Sequence, residues 1–67
     1  MDRVQVKGSL HIASVGYDRG KMQVSFHNGD THEFTVPEHV HEGLMGARSK
    51  GEYFHRFIKP KYQGVKL

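Results

Sequence analysis

From Lys21 to Phe26 apolar and polar residues take turns, with Met22, Val24 and Phe26 on one side and Gln23 and Ser25 on the other. That two-residue period marks a strand with one buried face. Residues 30–35 keep the alternation through His32 and Phe34, and residues 11–17 have the small, apolar and aromatic content of another strand. After Val36 the period lengthens. Val36, Val40 and Leu44 recur at four-residue intervals and Ala47 extends the stripe, so one face of a helix points inward. Pro37 suits the first position of that helix, where its missing N–H costs no hydrogen bond. Glu38 follows in the first turn, where it complements the helix dipole. Ser49-Lys50-Gly51-Glu52 matches a capping box, in which the serine caps the helix and the glutamate reaches back. The helix it opens carries Tyr53, Phe54, Phe57 and Ile58 on an apolar flank and ends before Pro60. The pattern predicts an α+β domain, a three-stranded antiparallel sheet followed by two short helices packed on one face.

The turns set the register. A two-residue Asn28-Gly29 loop would oppose Val24 to Glu33 and put Phe34 on the opposite face from Phe26. A three-residue loop over 27–29 instead opposes Val24 to His32 and Met22 to Phe34, which gathers the apolar side chains on one face. The same loop length over 18–20 opposes Tyr17 to Lys21 and Val15 to Gln23. Val15 and Tyr17 then stand on the open face of the sheet, with Ile12 turned to the core. Val4 and Val6 allow a short edge strand before Gly8, but residues 1–8 read as a flexible arm and 63–67 as a basic tail.

Sixty-seven residues make one domain, whose core supplies only about 3–5 kcal/mol. There is no cysteine, which removes disulfides and thiolate metal sites and fits a reducing cytoplasm. No apolar run reaches membrane-spanning length, and Met1-Asp2-Arg3-Val4 lacks the layout of a signal peptide. The expectation is a soluble cytoplasmic protein. Its charge is uneven. Residues 48–67 hold Arg48, Lys50, Arg56, Lys59, Lys61 and Lys66 against Glu52 alone, a net +5, while residues 1–47 hold four basic against six acidic side chains, a net −2. A cationic end interleaved with Tyr53, Phe54, Phe57 and Tyr62 suits a polyanion better than catalysis. The six histidines add positive charge in mild acid.

The ordered set Ser9-x-x-Ile12, Val15-Gly16-Tyr17-Asp18, Phe26-His27-Asn28-Gly29, Val36-Pro37, Ala47-x-Ser49-x-Gly51-x-Tyr53-Phe54 and Ile58-x-x-x-Tyr62 closely resembles the KTSC domain. That family is the module at the C-terminus of some lysyl-tRNA synthetases and is similar to small stand-alone bacterial and phage proteins. The resemblance spans residues 9–62. It implies a three-stranded sheet with helices, no established catalytic activity, and an RNA-linked role by association with tRNA. It also implies the cytoplasm of a bacterium, or of its host if the protein is phage-encoded. Three positions depart from the family pattern: His32 and His41 stand where tyrosine is usual, and His55 where asparagine commonly follows the Tyr-Phe pair.

Two surfaces emerge as candidates. In the first, Arg48, Lys50, Arg56, Lys59 and Lys61 bind phosphates of nucleic acid, RNA in preference to DNA, while Tyr53 and Tyr62 stack on bases. The same cations also make sense as a solvated helix face. In the second, Val15, Tyr17, Arg19 and Lys21 form an interaction face on the open sheet, for a protein partner or a second copy of the chain; the alternative is a different register in which Val15 and Tyr17 are both core, and Tyr17-Asp18 also starts a turn for purely local reasons. Nucleic acid is the expected partner and protein the alternative, with the chain a monomer or homodimer and no membrane involved. No metal or cofactor is expected, because His39-x-His41 splays its rings, and no His-x-x-x-His spacing occurs. Enzyme chemistry is not expected either. Metal-independent ribonuclease action needs two imidazoles and a cation, for which His55, His41 and Lys50 or Arg56 supply the residue types alone.

Overall fold

The alternation through Lys21–Phe26 does build a strand, at the centre of the sheet. In the computed structural model, which describes residues 3–67, five antiparallel strands follow one another in space as in sequence. They are β1 (Arg3–Gln5), β2 (Ile12–Asp18), β3 (Lys21–Phe26), β4 (Thr31–Thr35) and β5 (Val65–Lys66). Between β4 and β5 lie α1 (Glu38–Gly46) and α2 (Lys50–Tyr53). The second helix widens at once into a π-helical turn over Phe54–Ile58, where the Lys59 N–H donates to the Phe54 carbonyl at 2.8 Å. Among the described residues no helix is long and apolar enough to cross a membrane.

The α+β class stands, but the sheet has five strands where three were expected. Both extra strands come from segments read as arm and tail. Of the arm, residues 1 and 2 lie outside the described residues. The rest pairs with β2, Arg3 opposite Gly16 and Gln5 opposite Ser14. Val6, 8% exposed, anchors it in the core, and the Val6 N–H donates to the Ala13 carbonyl at 2.9 Å. At the other end Val65 pairs with Glu33, and the Leu67 N–H donates to the Thr31 carbonyl at 2.9 Å. Gly64 permits this approach, since a Cβ there would lie 2.6 Å from the Phe34 ring.

The β3–β4 loop has the expected register, with Met22 opposite Phe34 and Val24 opposite His32. Gly29 takes the left-handed conformation at φ +95°. The β2–β3 loop is one residue shorter than expected. Asp18 pairs with Lys21, and Arg19 and Gly20 both have positive φ, 52° and 81°. A two-residue hairpin turn of this kind matches the twist of its strands. The shorter loop shifts β2 by one position and reverses its faces. Val15 therefore opposes Val24 inside the core, 1% exposed, and the half-buried Tyr17 donates its hydroxyl to the Val36 carbonyl at 3.0 Å. The open-face placement of Val15 and Tyr17 is overturned; Arg19 and Lys21 remain exposed beside the turn. Ile12 still reaches the core, because a bulge between Ile12 and Ser14 absorbs the extra residue.

One face of the sheet is covered by Val36, Val40, Leu44, Phe54 and Ile58, which close the core over Val15, Met22, Val24 and Phe34. The helix starts one position later than expected, so Pro37 is the residue before the first turn and its carbonyl accepts from the Val40 N–H at 3.0 Å. The opposite face is a polar lattice. Arg3 donates to Gln23 at 2.7 Å and to Ser25 at 2.9 Å, Gln23 donates to Glu33 at 3.1 Å, and the Ser25 and Thr31 hydroxyls share a hydrogen bond of 2.9 Å.

Candidate nucleic-acid interface

The loop between β1 and β2 is shaped by Ser9. Its hydroxyl accepts from the His11 and Ile12 N–H groups at 3.2 and 3.0 Å, and the Ser9 carbonyl meets the His27 ring at 3.0 Å. This bent loop lies over the start of α2 at the buried Gly51, where a Cβ would stand 3.6 Å from the Ser9 hydroxyl. Ser49 caps that helix, accepting from the Glu52 N–H at 3.3 Å. The reciprocal half of the capping box is replaced by an ion pair, the Glu52 carboxylate lying 3.5 Å from Arg56.

Loop and helix enclose a cleft of about 460 Å³, and three cations line it: Lys7 from the loop, Arg48 from the approach to α2 and Lys50 from its first position. Lys50 also donates to the Ala47 carbonyl at 3.3 Å. His11 and His55 stand in the same wall, their rings edge to face with centroids 5.5 Å apart. Leu10, 90% exposed, forms part of the lining.

On the other side of the two histidines lies a second cleft of about 450 Å³, with Phe26, Phe34, Phe54 and Tyr62 in its walls and Lys59 at its edge. His11 and His55 line both clefts. His55 sits on the π-helical turn, a feature frequent at functional sites.

The seven residues expected to bind nucleic acid are thus divided. Arg48 and Lys50 share the first cleft, and Lys59 and Tyr62 the second. Arg56 and Tyr53 belong to a third, shallower depression of about 250 Å³ that Arg48 also lines. There Arg56 is paired with Glu52, and Tyr53 lies against Phe57 and over Gly43. Lys61 is exposed and lines none of these clefts. Among the described residues the other ion pair joins Lys66 to Asp30 at 3.5 Å.

Sequence reading missed Lys7 and His11, because it assigned residues 1–8 to an arm and saw nothing that brings residue 11 against residue 55. The Ser9-x-x-Ile12 spacing was the available signal, since a serine that binds its own following N–H groups bends the chain back. The three unusual histidines all stand as aromatic partners. His41 stacks on Tyr17 with centroids 4.5 Å apart, His32 meets Phe26 and Phe34, and His55 meets His11 and Phe54. Among the described residues no three metal-ligating side chains converge.

Known proteins share this arrangement of strands and helices. Over 47 residues the chain is 46% identical to a lysine–tRNA ligase of Trichormus variabilis, a match covering 69% of this chain and 8% of that protein. It therefore corresponds to a small part of that relative's length. A crystal structure of a KTSC domain protein from Yersinia pestis superposes with a TM-score of 0.87 at 36% identity, covering 98% of this chain and 96% of that one. Residues 8–62 match the KTSC domain, and the chain belongs to that family.

Proposed function

We propose that this chain is a non-enzymatic binding module for nucleic acid, RNA in preference to DNA, working in the cytoplasm. The observation that carries this reading is the convergence of Lys7, Arg48 and Lys50 on one cleft. Glu52 is the carboxylate in that lining, and it is already engaged by Arg56. Three cations held by two separate parts of the chain offer fixed positions for phosphates, which is how backbone contacts set the register of a bound strand. The relative named lysine–tRNA ligase acts, by that name, on tRNA, which supports RNA as the polyanion.

The geometry of the histidines favours binding over cleavage. His41 is held against Tyr17, and the His11 and His55 rings touch edge to face. General acid and base catalysis on a phosphodiester needs two imidazoles within hydrogen-bond reach of the reacting group, whereas each of these rings is turned to an aromatic neighbour. The protein-contact reading of the open sheet face loses its apolar anchor, since Val15 and Tyr17 belong to the core side.

Equilibrium binding of a labelled tRNA across a series of salt concentrations tests the proposal. With three phosphates neutralised, log K falls against log salt with a slope of about −2 to −3. The double variant Lys7→Gln/Lys50→Gln brings the slope to about −1. Absence of binding at low salt, or binding indifferent to salt, defeats the reading. Cleavage of the tRNA in the presence of chelator would replace it with the enzyme.

A further inference from the structure

The two clefts that meet at His11 and His55 have complementary characters. One is lined by Lys7, Arg48 and Lys50; the other is walled by aromatic rings. In the second, Phe54 stands edge-on to Phe26 and Phe34 with centroids 5.6 and 5.3 Å away. Each cleft has a volume within the range of about 300–1,000 Å³ usual for small-ligand sites.

We infer that the joined clefts form the seat of one unpaired nucleotide of an RNA strand, the base in the aromatic cleft and its phosphate among the three cations. This deepens the RNA reading and rests on it. The charge and the rings are in the order a nucleotide requires: anion, sugar, flat aromatic base. His11 and His55 occupy the middle, where imidazole N–H groups can donate to sugar oxygens. At the rim of the aromatic cleft Asn28 uses its Oδ1 to accept from the Asp30 N–H at 2.9 Å. Its amide nitrogen is left to donate to a base edge, and Gln63 lies in the same lining. A paired base cannot enter such a cleft, because its edge is already bonded and its faces are covered by neighbours. Sequence-specific proteins that read RNA commonly take splayed, unpaired bases in this way. Leu10, the exposed apolar side chain of the first cleft, is placed to touch the next base along.

The test compares three probes by nitrogen-15 correlation spectroscopy and fluorescence anisotropy: a six-nucleotide single-stranded RNA, an abasic strand of the same length, and a blunt RNA duplex. The expected result is single-strand affinity about tenfold or more above both others, as stacking of a base on aromatic side chains supplies. Amide shifts should extend from Ser9, His11 and Gly51 to Asn28 and Gly64. In the variant Gln63→Trp, which fills the aromatic cleft from an exposed position, the advantage of the single strand over the abasic probe disappears. Equal affinity for all three probes, with shifts confined to the cationic cleft, overturns the nucleotide seat and leaves the RNA reading intact. No binding of any probe overturns both. The wild-type comparison decides the matter even if the tryptophan variant fails to fold.

Discussion

Gly43 shows how little a residue's own preference says once its neighbour is known. It lies within α1, where glycine costs roughly 1 kcal/mol relative to alanine, so propensity alone predicts that Gly43→Ala stabilises. In the fold a Cβ at this position meets the Tyr53 hydroxyl and comes 2.8 Å from the ring carbon that bears it. Tyr53 is itself held against Phe57 at 4.9 Å. Overpacking of this kind costs about 1–3 kcal/mol, which exceeds the helical gain. Urea denaturation should show Gly43→Ala lowering the unfolding midpoint, and the same change in a Tyr53→Leu background should raise it. A rise in both backgrounds would mean that the tyrosine moves aside freely. Tyr53 was expected to stack on bases; its position over Gly43 gives it a structural task as well.

Among the elements, the β2–β3 hairpin carries the largest misreading. Along the chain Asp18-Arg19-Gly20 reads as a three-residue loop with glycine in the left-handed position. Arg19 nonetheless adopts φ 52°. The burial gained by turning Val15 and Tyr17 inward outweighs the strain. Leaving Val15 exposed would forfeit about 1.5–3 kcal/mol of burial, against roughly 1–2 kcal/mol for one left-handed residue. Arg19→Asn, which restores the Asn-Gly pair that such turns prefer, should stabilise the domain by about 0.5–1 kcal/mol with no change in the sheet. A thermal melt measures it. A loss of stability would show that the arginine side chain makes a contact worth more than the strain.

Across the whole molecule, charge matters by where the chain brings it. Lys66 belongs to the basic stretch on paper, yet it lies on the edge strand β5 beside Asp30. Lys7 belongs to the half of the chain with net negative charge and lines the cationic cleft. Neutralising each separates location from sum. Lys7→Gln should weaken tRNA binding about three- to tenfold at low salt, and Lys66→Gln, which removes the same formal charge, should change it less than twofold. Equal losses would mean that net charge alone attracts the RNA and that the cleft has no special part.

What could be read along the chain was whatever repeats at short range. Two-residue and four-residue periods marked the central strands and α1, a serine three residues before a glutamate marked the cap of α2, and Gly29 marked its turn. Those signals are local because backbone geometry and helix capping involve neighbours in sequence. The edge strands, the faces of β2 and the meeting of Lys7, His11, Arg48 and His55 are different in kind. Each depends on burial or contact between residues that are not neighbours in sequence, where a one-residue change in a loop reverses which side chains face the core. No spacing along the chain encodes that choice; it is made when the sheet closes against the helices and the arrangement that buries more apolar surface prevails.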